Sequence, residues 1–225
     1  MPTPSPTFNQ VADYYTGVRP EMLRVVPKSA KRVLEIGCGT GDFSVSVKRK
    51  TGAECWAIEY QPDVAEKAAR VLDRVLTGDI DANVSELPDG YFDVIVANDV
   101  LEHLVNPWTT LELLRPKLAP GGILVGSIPN IRFLPALARI VFRKDFPLDD
   151  HGVFDRTHLR WFTRKSIPRM FEAAGYEVQK IRGIHMAPNP LVAIIGIASL
   201  GFLWDGVWMQ YKVVATPQTT TATVQ

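Results

Sequence analysis

Residues 33–43 read VLEIGCGTGDF, and this stretch decides the fold. A short apolar run closes on glycines at 37, 39 and 41, and residues 42–50 then carry the pattern of a helix. Glycine takes positive φ freely and lets a ligand lie against the main chain with no Cβ in the way. The spacing is GxGxG. Where a dinucleotide fingerprint has its third glycine this chain has Asp42, whose charge would oppose a pyrophosphate at the helix N-terminus. A nicotinamide-dependent oxidoreductase is disfavoured on that ground. Glu35, beside the loop, suits a ligand carrying positive charge.

Outward from the loop, apolar runs alternate with amphipathic stretches. A second strand is expected over Cys55–Glu59, a helix from Pro62 to Val75, and a short third strand over Val75–Ile80. Phe92–Asp99 is almost continuously apolar, as a central parallel strand should be. A helix from Asn106 to Leu118 should stop at Pro120-Gly121-Gly122, ahead of a fifth strand over Ile123–Ile128. This rhythm predicts a doubly wound α/β sheet with its first strand central and a ligand crevice at the strands' C-terminal edge. After Pro129 the rhythm breaks. Residues 133–144 are apolar and basic, and 149–162 form a polar loop. A helix (Ser166–Gly175) and two strands (Tyr176–Ile181, Gln210–Thr216) complete the chain. The added segment, about 130–165, should lie over the crevice.

Three acids end successive strands: Glu59, Asp79 and Asp99. A carboxylate can accept both hydroxyls of a ribose or an exocyclic adenine amine. Any one of these acids alone reads more readily as a solvated turn residue or helix cap. Three in one crevice, beside a glycine loop, point to a nucleoside-bearing ligand.

These residues resemble the class I S-adenosylmethionine-dependent methyltransferases. Residues 35–41 (EIGCGTG) are similar to the first motif of that superfamily, Glu59 to its ribose acid, and 78–80 (GDI) to its adenine segment. Residues 92–104 and 118–124 resemble the fourth-strand motif and the turn after it. The resemblance covers about residues 31–128. It implies a Rossmann-like, doubly wound seven-stranded sheet, mostly parallel with the last strand antiparallel and helices on both faces. It further implies S-adenosyl-L-methionine as cofactor, held by Glu35, Gly37, Cys38, Gly39, Gly41, Glu59, Tyr60, Asp79, Ile80 and Asn98. Tyr14, next to Tyr15, would close over it as a lid. Residues 127–130 (SIPN) and 151–163 (HGVFDRTHLRWFT) resemble methyltransferases that accompany polysaccharide and lipopolysaccharide assembly. That narrower likeness implies a sugar hydroxyl of a glycan or glycolipid precursor as acceptor, with a non-sugar small molecule as the alternative. A non-catalytic cofactor-binding protein on the same fold is the rival of another class.

Methyl transfer from a sulfonium is an in-line displacement, so the protein must chiefly align the acceptor and exclude water. A hydroxyl acceptor benefits from a general base. His158 and His151, both in the polar loop, are the candidates because histidine titrates near neutrality. Asp155 would orient one of them, and Arg156 and Arg160 would meet an anionic acceptor. The plainer reading is a loop ordered by histidine–carbonyl bonds and an Asp–Arg pair. His103, just after strand four, reads more readily as packing than as catalysis. The four histidines (103, 151, 158, 185) show no ligand spacing, so no metal is expected.

Composition sets the remaining bounds. The 225 residues carry 25 Lys+Arg and 24 Asp+Glu, a net charge of +1, which excludes a general nucleic-acid binder. With 46% apolar residues the chain can build a core. Two cysteines, Cys38 and Cys55, make no disulfide framework and fit a reduced, cytoplasmic setting. Residues 1–30 read as a proline-rich leader and candidate lid, 31–216 as the catalytic domain, and 217–225 as a flexible tail. The apolar stretch 191–204 falls short of the ~20 residues a membrane span needs. With the stretch 133–142, four cations (Arg132, Arg139, Arg143, Lys144) and two indoles (Trp204, Trp208), it fits peripheral contact with the inner face of a membrane. The alternative is that the two stretches pack together and roof the site.

Overall fold

Strand β1 (Arg32–Ile36) is buried from Val33 onward, which is why its sequence is a run of Val, Leu and Ile with little alternation. The computed structural model describes residues 17–218; Tyr14 and Tyr15 of the expected lid, and most of the expected tail, lie outside the described residues. A short helix α1 (Pro20–Leu23) precedes β1. Then follow α2 (Asp42–Thr51), β2 (Glu54–Glu59), α3 (Pro62–Ala69), β3 (Arg74–Thr77), α4 (Ile80–Asn83), β4 (Phe92–Asn98), α5 (Pro107–Leu114) and β5 (Leu118–Pro129). The chain ends with α6 (Leu134–Phe142), α7 (Ser166–Ala173), β6 (Tyr176–Met186), α8 (Pro190–Ala198) and β7 (Trp208–Pro217).

The seven strands form one sheet in the order β3-β2-β1-β4-β5-β7-β6. Strands β3, β2, β1, β4 and β5 are parallel, and β7 runs antiparallel between β5 and β6. The mostly parallel sheet with an antiparallel last strand is therefore as expected. Alternate residues of the central strands feed two cores. Leu34, Ile36, Ile95 and Ala97 pack with α5 and α7 on one face; Val33, Val94 and Val96 pack with α1, α2 and α3 on the other. Each fully buried Leu or Ile in these layers contributes roughly 1.5–3 kcal/mol. The carboxyl ends of β1, β2 and β4 thus open on one crevice.

Three local expectations are corrected. The helix after β2 ends at Ala69, and β3 stops at Thr77, so Asp79 and Ile80 sit in the turn and at the start of α4. Pro120-Gly121-Gly122 does not end a helix ahead of a separate strand. It lies inside β5 as a bulge, with Gly121 at φ 76° and the pairing with β4 shifting between Phe92 and Val94. The two apolar stretches meet only in part: Phe133 and Leu134 pack under Ala187, Val192 and Val207, while the outer sides of both helices face solvent.

Candidate active site

The glycine loop is built by backbone geometry. Gly37, Gly39 and Gly41 all take positive φ, at 66°, 56° and 88°. A Cβ on Gly37 would stand 2.8 Å from Cγ2 of Val100, so this position has neither the conformation nor the room for a side chain. The Gly37 amide donates to the carbonyl of Ile58 over 2.8 Å, joining the loop to β2.

Glu59 completes that join. Its buried carboxylate accepts the Gly39 amide at 2.9 Å through one oxygen and the Gln61 amide at 3.0 Å through the other. Glu35 is buried: the Ser44 hydroxyl donates to it over 2.5 Å, and burial pushes its carboxyl up to about 8. At neutral pH it is therefore largely uncharged, which weakens the expectation that it faces a cationic ligand. Cys38 is buried, and desolvation raises its thiol far above the usual range. Asp79 caps α4, accepting the Asp81 amide at 2.8 Å, and Ile80 is buried behind it. Tyr60 is 66% exposed. Asn98 ends β4, with both its amide nitrogen and its amide oxygen buried and without a hydrogen-bond partner among the described residues.

Asp99 is held by protein groups. It takes φ 54° and pairs with the guanidinium of Arg19, which itself takes φ 46°. Ser127 and Gln210 donate to the same carboxylate at 2.8 and 3.0 Å. The segment before α1 is thereby fastened to the end of β4.

The polar loop folds back onto β4. The carbonyl of Glu102, in the 3-10 turn Leu101–His103, accepts the amides of Leu159 and Arg160 at 2.8 and 3.1 Å. This brings His158 beside Glu102 and His103. The His103 and His158 rings lie edge-on, 4.7 Å apart, and His158 Nε2 stands 4.0 Å from Glu102 Oε1. Burial first, then the neighbouring His103, lowers the pKa of His158; burial raises that of Glu102. Asp155 accepts the amide and hydroxyl of Thr157 at 2.8 and 2.6 Å, and the Thr157 hydroxyl meets His103 Nδ1 at 3.0 Å.

Sequence reasoning named His158 and Asp155 but missed Glu102, and read His103 as packing. Donor atoms of Glu102, His103 and His158 all lie within 4.8 Å of one another, a grouping that spacing along the chain does not reveal. His151 is exposed on the loop, and no hydrogen bond or ion pair among the described residues joins it to this group. Arg156 pairs with Asp150, and Arg160 donates to the carbonyls of Leu159 and Val105, so both cations order the loop itself.

The family described as a methyltransferase domain matches residues 10–181. The chain belongs to this methyltransferase family. The ubiquinone biosynthesis O-methyltransferase of Aeromonas salmonicida is 29% identical over 170 residues, 70% of this chain and 68% of that protein. The mitochondrial ubiquinone biosynthesis O-methyltransferase of Schizosaccharomyces pombe is 31% identical over 175 residues, 72% of this chain and 60% of that one, so less than two thirds of its length is spanned. Among solved structures, an S-adenosylmethionine-dependent methyltransferase from Archaeoglobus fulgidus superposes with a TM-score of 0.69 at 20% identity, over 94% of this chain and 99% of that one. A possible histamine N-methyltransferase from Thermotoga maritima gives 0.62 at 20% identity, covering 88% and 87%. These two likenesses bear on the fold. None of these relatives carries the polysaccharide association that residues 151–163 had implied.

The methyltransferase uses S-adenosylmethionine, which supplies a methyl group already activated for transfer. Its own residues fit that cofactor. Buried polar groups are nearly always satisfied, so the unpartnered Asn98 amide asks for a polar ligand at the end of β4. The glycine loop beside it presents main chain where any Cβ at position 37 would collide.

Proposed function

We propose that this methyltransferase O-methylates a hydroxyl of a small molecule, seated between the end of β4 and the loop 149–162. Glu59 has lone pairs left for the ribose hydroxyls after serving Gly39 and Gln61. Asp79 and Ile80 border the adenine, and Gly37, Gly39 and Asn98 hold the methionine end. One observation carries the acceptor side: the Glu102–His103–His158 group begins four residues beyond Asn98, where a hydroxyl losing its proton needs nitrogen and carboxylate acceptors. The activity the relatives are named for, O-methylation in ubiquinone biosynthesis, supports a ring hydroxyl over a sugar hydroxyl. The test is transfer of labelled methyl from S-adenosylmethionine to phenol- and hydroquinone-type acceptors set against free sugars and glycans. Label on the ring hydroxyls is expected. Label on sugars alone would restore the glycan reading, and cofactor binding with no transfer to either class would favour the non-catalytic rival.

We further infer that the β6–β7 connection rests on a lipid surface. No helix among the described residues is long and apolar enough to cross a membrane. Yet Leu191, Ile194, Ile195, Ile197, Leu200 and Phe202 are all exposed, Leu200 at 98%, and residues 190–204 carry no charged side chain. Arg132 and Arg139 do not serve as lipid-facing cations: the first is bidentate with Asp205, and the second pairs with Asp149 at 2.9 Å. Arg143 and Lys144, exposed at the end of α6, remain for that role.

A further inference from the structure

Five residues other than glycine take positive φ among the described residues, and three of them, Arg19, Asp99 and His185, meet in one hydrogen-bonded group. They come from the segment before α1, the turn after β4 and the end of β6. Strained backbone of this kind persists only where its surroundings hold it, and it gathers at functional sites. Gln210, on β7, joins the three. Its amide nitrogen donates to Asp99 Oδ1 over 3.0 Å, and its amide oxygen accepts from Arg19 Nη2 at 3.3 Å and lies 3.0 Å from His185 Nδ1.

The neighbours of this amide fix its orientation. A guanidinium only donates and a carboxylate only accepts, so the oxygen must face Arg19 and the nitrogen Asp99. His185 Nδ1 meets the same oxygen and therefore carries the ring proton. Its Nε2 stands 3.5 Å from Glu21 Oε1, which accepts Arg19 Nε at 2.7 Å. The contacts thus run from Asp99 through Gln210, His185, Glu21 and Arg19 back to Asp99. Ser127, on β5, adds a hydroxyl donor to the same carboxylate at 2.8 Å.

We propose that Gln210 is a positioning residue for S-adenosylmethionine: it holds Asp99 in its left-handed conformation and so sets the unpartnered Asn98 amide toward the cofactor. Asn98 directly precedes Asp99, and the direction in which it leaves β4 depends on the turn that Asp99 makes. That turn is held at once from β5, β7 and the segment before α1. The polar atoms of Gln210 are taken up by Asp99, Arg19 and His185, so it acts through Asp99 rather than on the cofactor. The proposal rests on the reading of Asn98 as a residue of the methionine end. It needs no acceptor and no turnover for its test.

The experiment is calorimetric titration of the full chain with S-adenosylmethionine. Gln210→Glu sets a second carboxylate against Asp99 and should weaken binding by at least ~10-fold at about pH 8. Its gap to the wild type should narrow toward about pH 5.5, because two carboxylates at hydrogen-bond distance come to share a proton. Asp99→Asn alone sets donor against donor and should also bind weakly. Asp99→Asn with Gln210→Glu exchanges donor and acceptor at equal charge and should return to within ~3-fold of the wild type. The double variant can be judged against either single one should the other fail to fold. Gln210→Glu binding as the wild type does, or a double variant no better than the singles, would overturn the proposal. Asn98→Leu should weaken binding by at least ~10-fold; unchanged binding would overturn the reading of Asn98 itself, and the proposal with it.

Discussion

The amide of Gly39 donates to the carboxylate of Glu59 across 2.9 Å, so the acid proposed to take the ribose hydroxyls also shapes the glycine loop. Glu59→Ala removes the acceptor of two backbone amides as well as that of the cofactor hydroxyls. A hydrogen bond to a charged group is worth about 1.5–3 kcal/mol. Affinity for S-adenosylmethionine should fall by at least ~10-fold, and the thermal midpoint should fall with it. Calorimetric titration beside a melting curve reads both; unchanged affinity would remove Glu59 from the cofactor site.

Gly37→Ala meets Cγ2 of Val100 at 2.8 Å and must also hold φ 66°. The left-handed backbone costs on the order of 1 kcal/mol and the contact adds to it. Adding Val100→Ala relieves the contact alone. The double variant should therefore recover part of the lost cofactor affinity, and a double variant no better than Gly37→Ala would contradict the steric account.

Stability should depend on pH through Glu35. The folded protein keeps this carboxyl protonated up to about 8, whereas the ordinary value is 4.5. The proton is thus bound more tightly in the folded state, and the resulting stability is complete below 4.5 and declines as pH rises to about 8. The loss is on the order of a few kcal/mol. Urea unfolding of the cofactor-free protein between pH 5 and 8 measures it. Glu35→Gln should flatten this part of the profile; an equal slope in both proteins would place the titration elsewhere.

Lipid contact through the β6–β7 connection predicts co-sedimentation with anionic vesicles at low salt. Leu200→Ser with Phe202→Ser should reduce the bound fraction at any salt, because it removes inserted apolar area. Arg143→Glu with Lys144→Glu should reduce it chiefly at low salt, because exposed charges are screened. Full recovery of the wild type in the supernatant would reject the surface.

What the sequence disclosed follows from the range of the interactions. The β1–α2 corner was legible because its determinants, a buried run and three glycines, lie within eleven consecutive residues. The bulge at Gly121 was not, since Pro-Gly-Gly reads as a stop unless the pairing with β4 is known. Nothing in the sequence singled out Glu102; only the return of Leu159 and Arg160 to its carbonyl buries it beside His158. Arg139 looked like a membrane-facing cation until its pairing with Asp149 emerged. Charge and polarity were visible in each case, and the partner was not.

The seam between Glu102 and residues 159–160 consists of main-chain atoms, which every amino acid except proline brings. The wall of the crevice is therefore stitched to the sheet independently of the side chains it displays. Descendants of this chain can exchange the residues of that wall, and so change which molecule they modify, without unpicking the stitch.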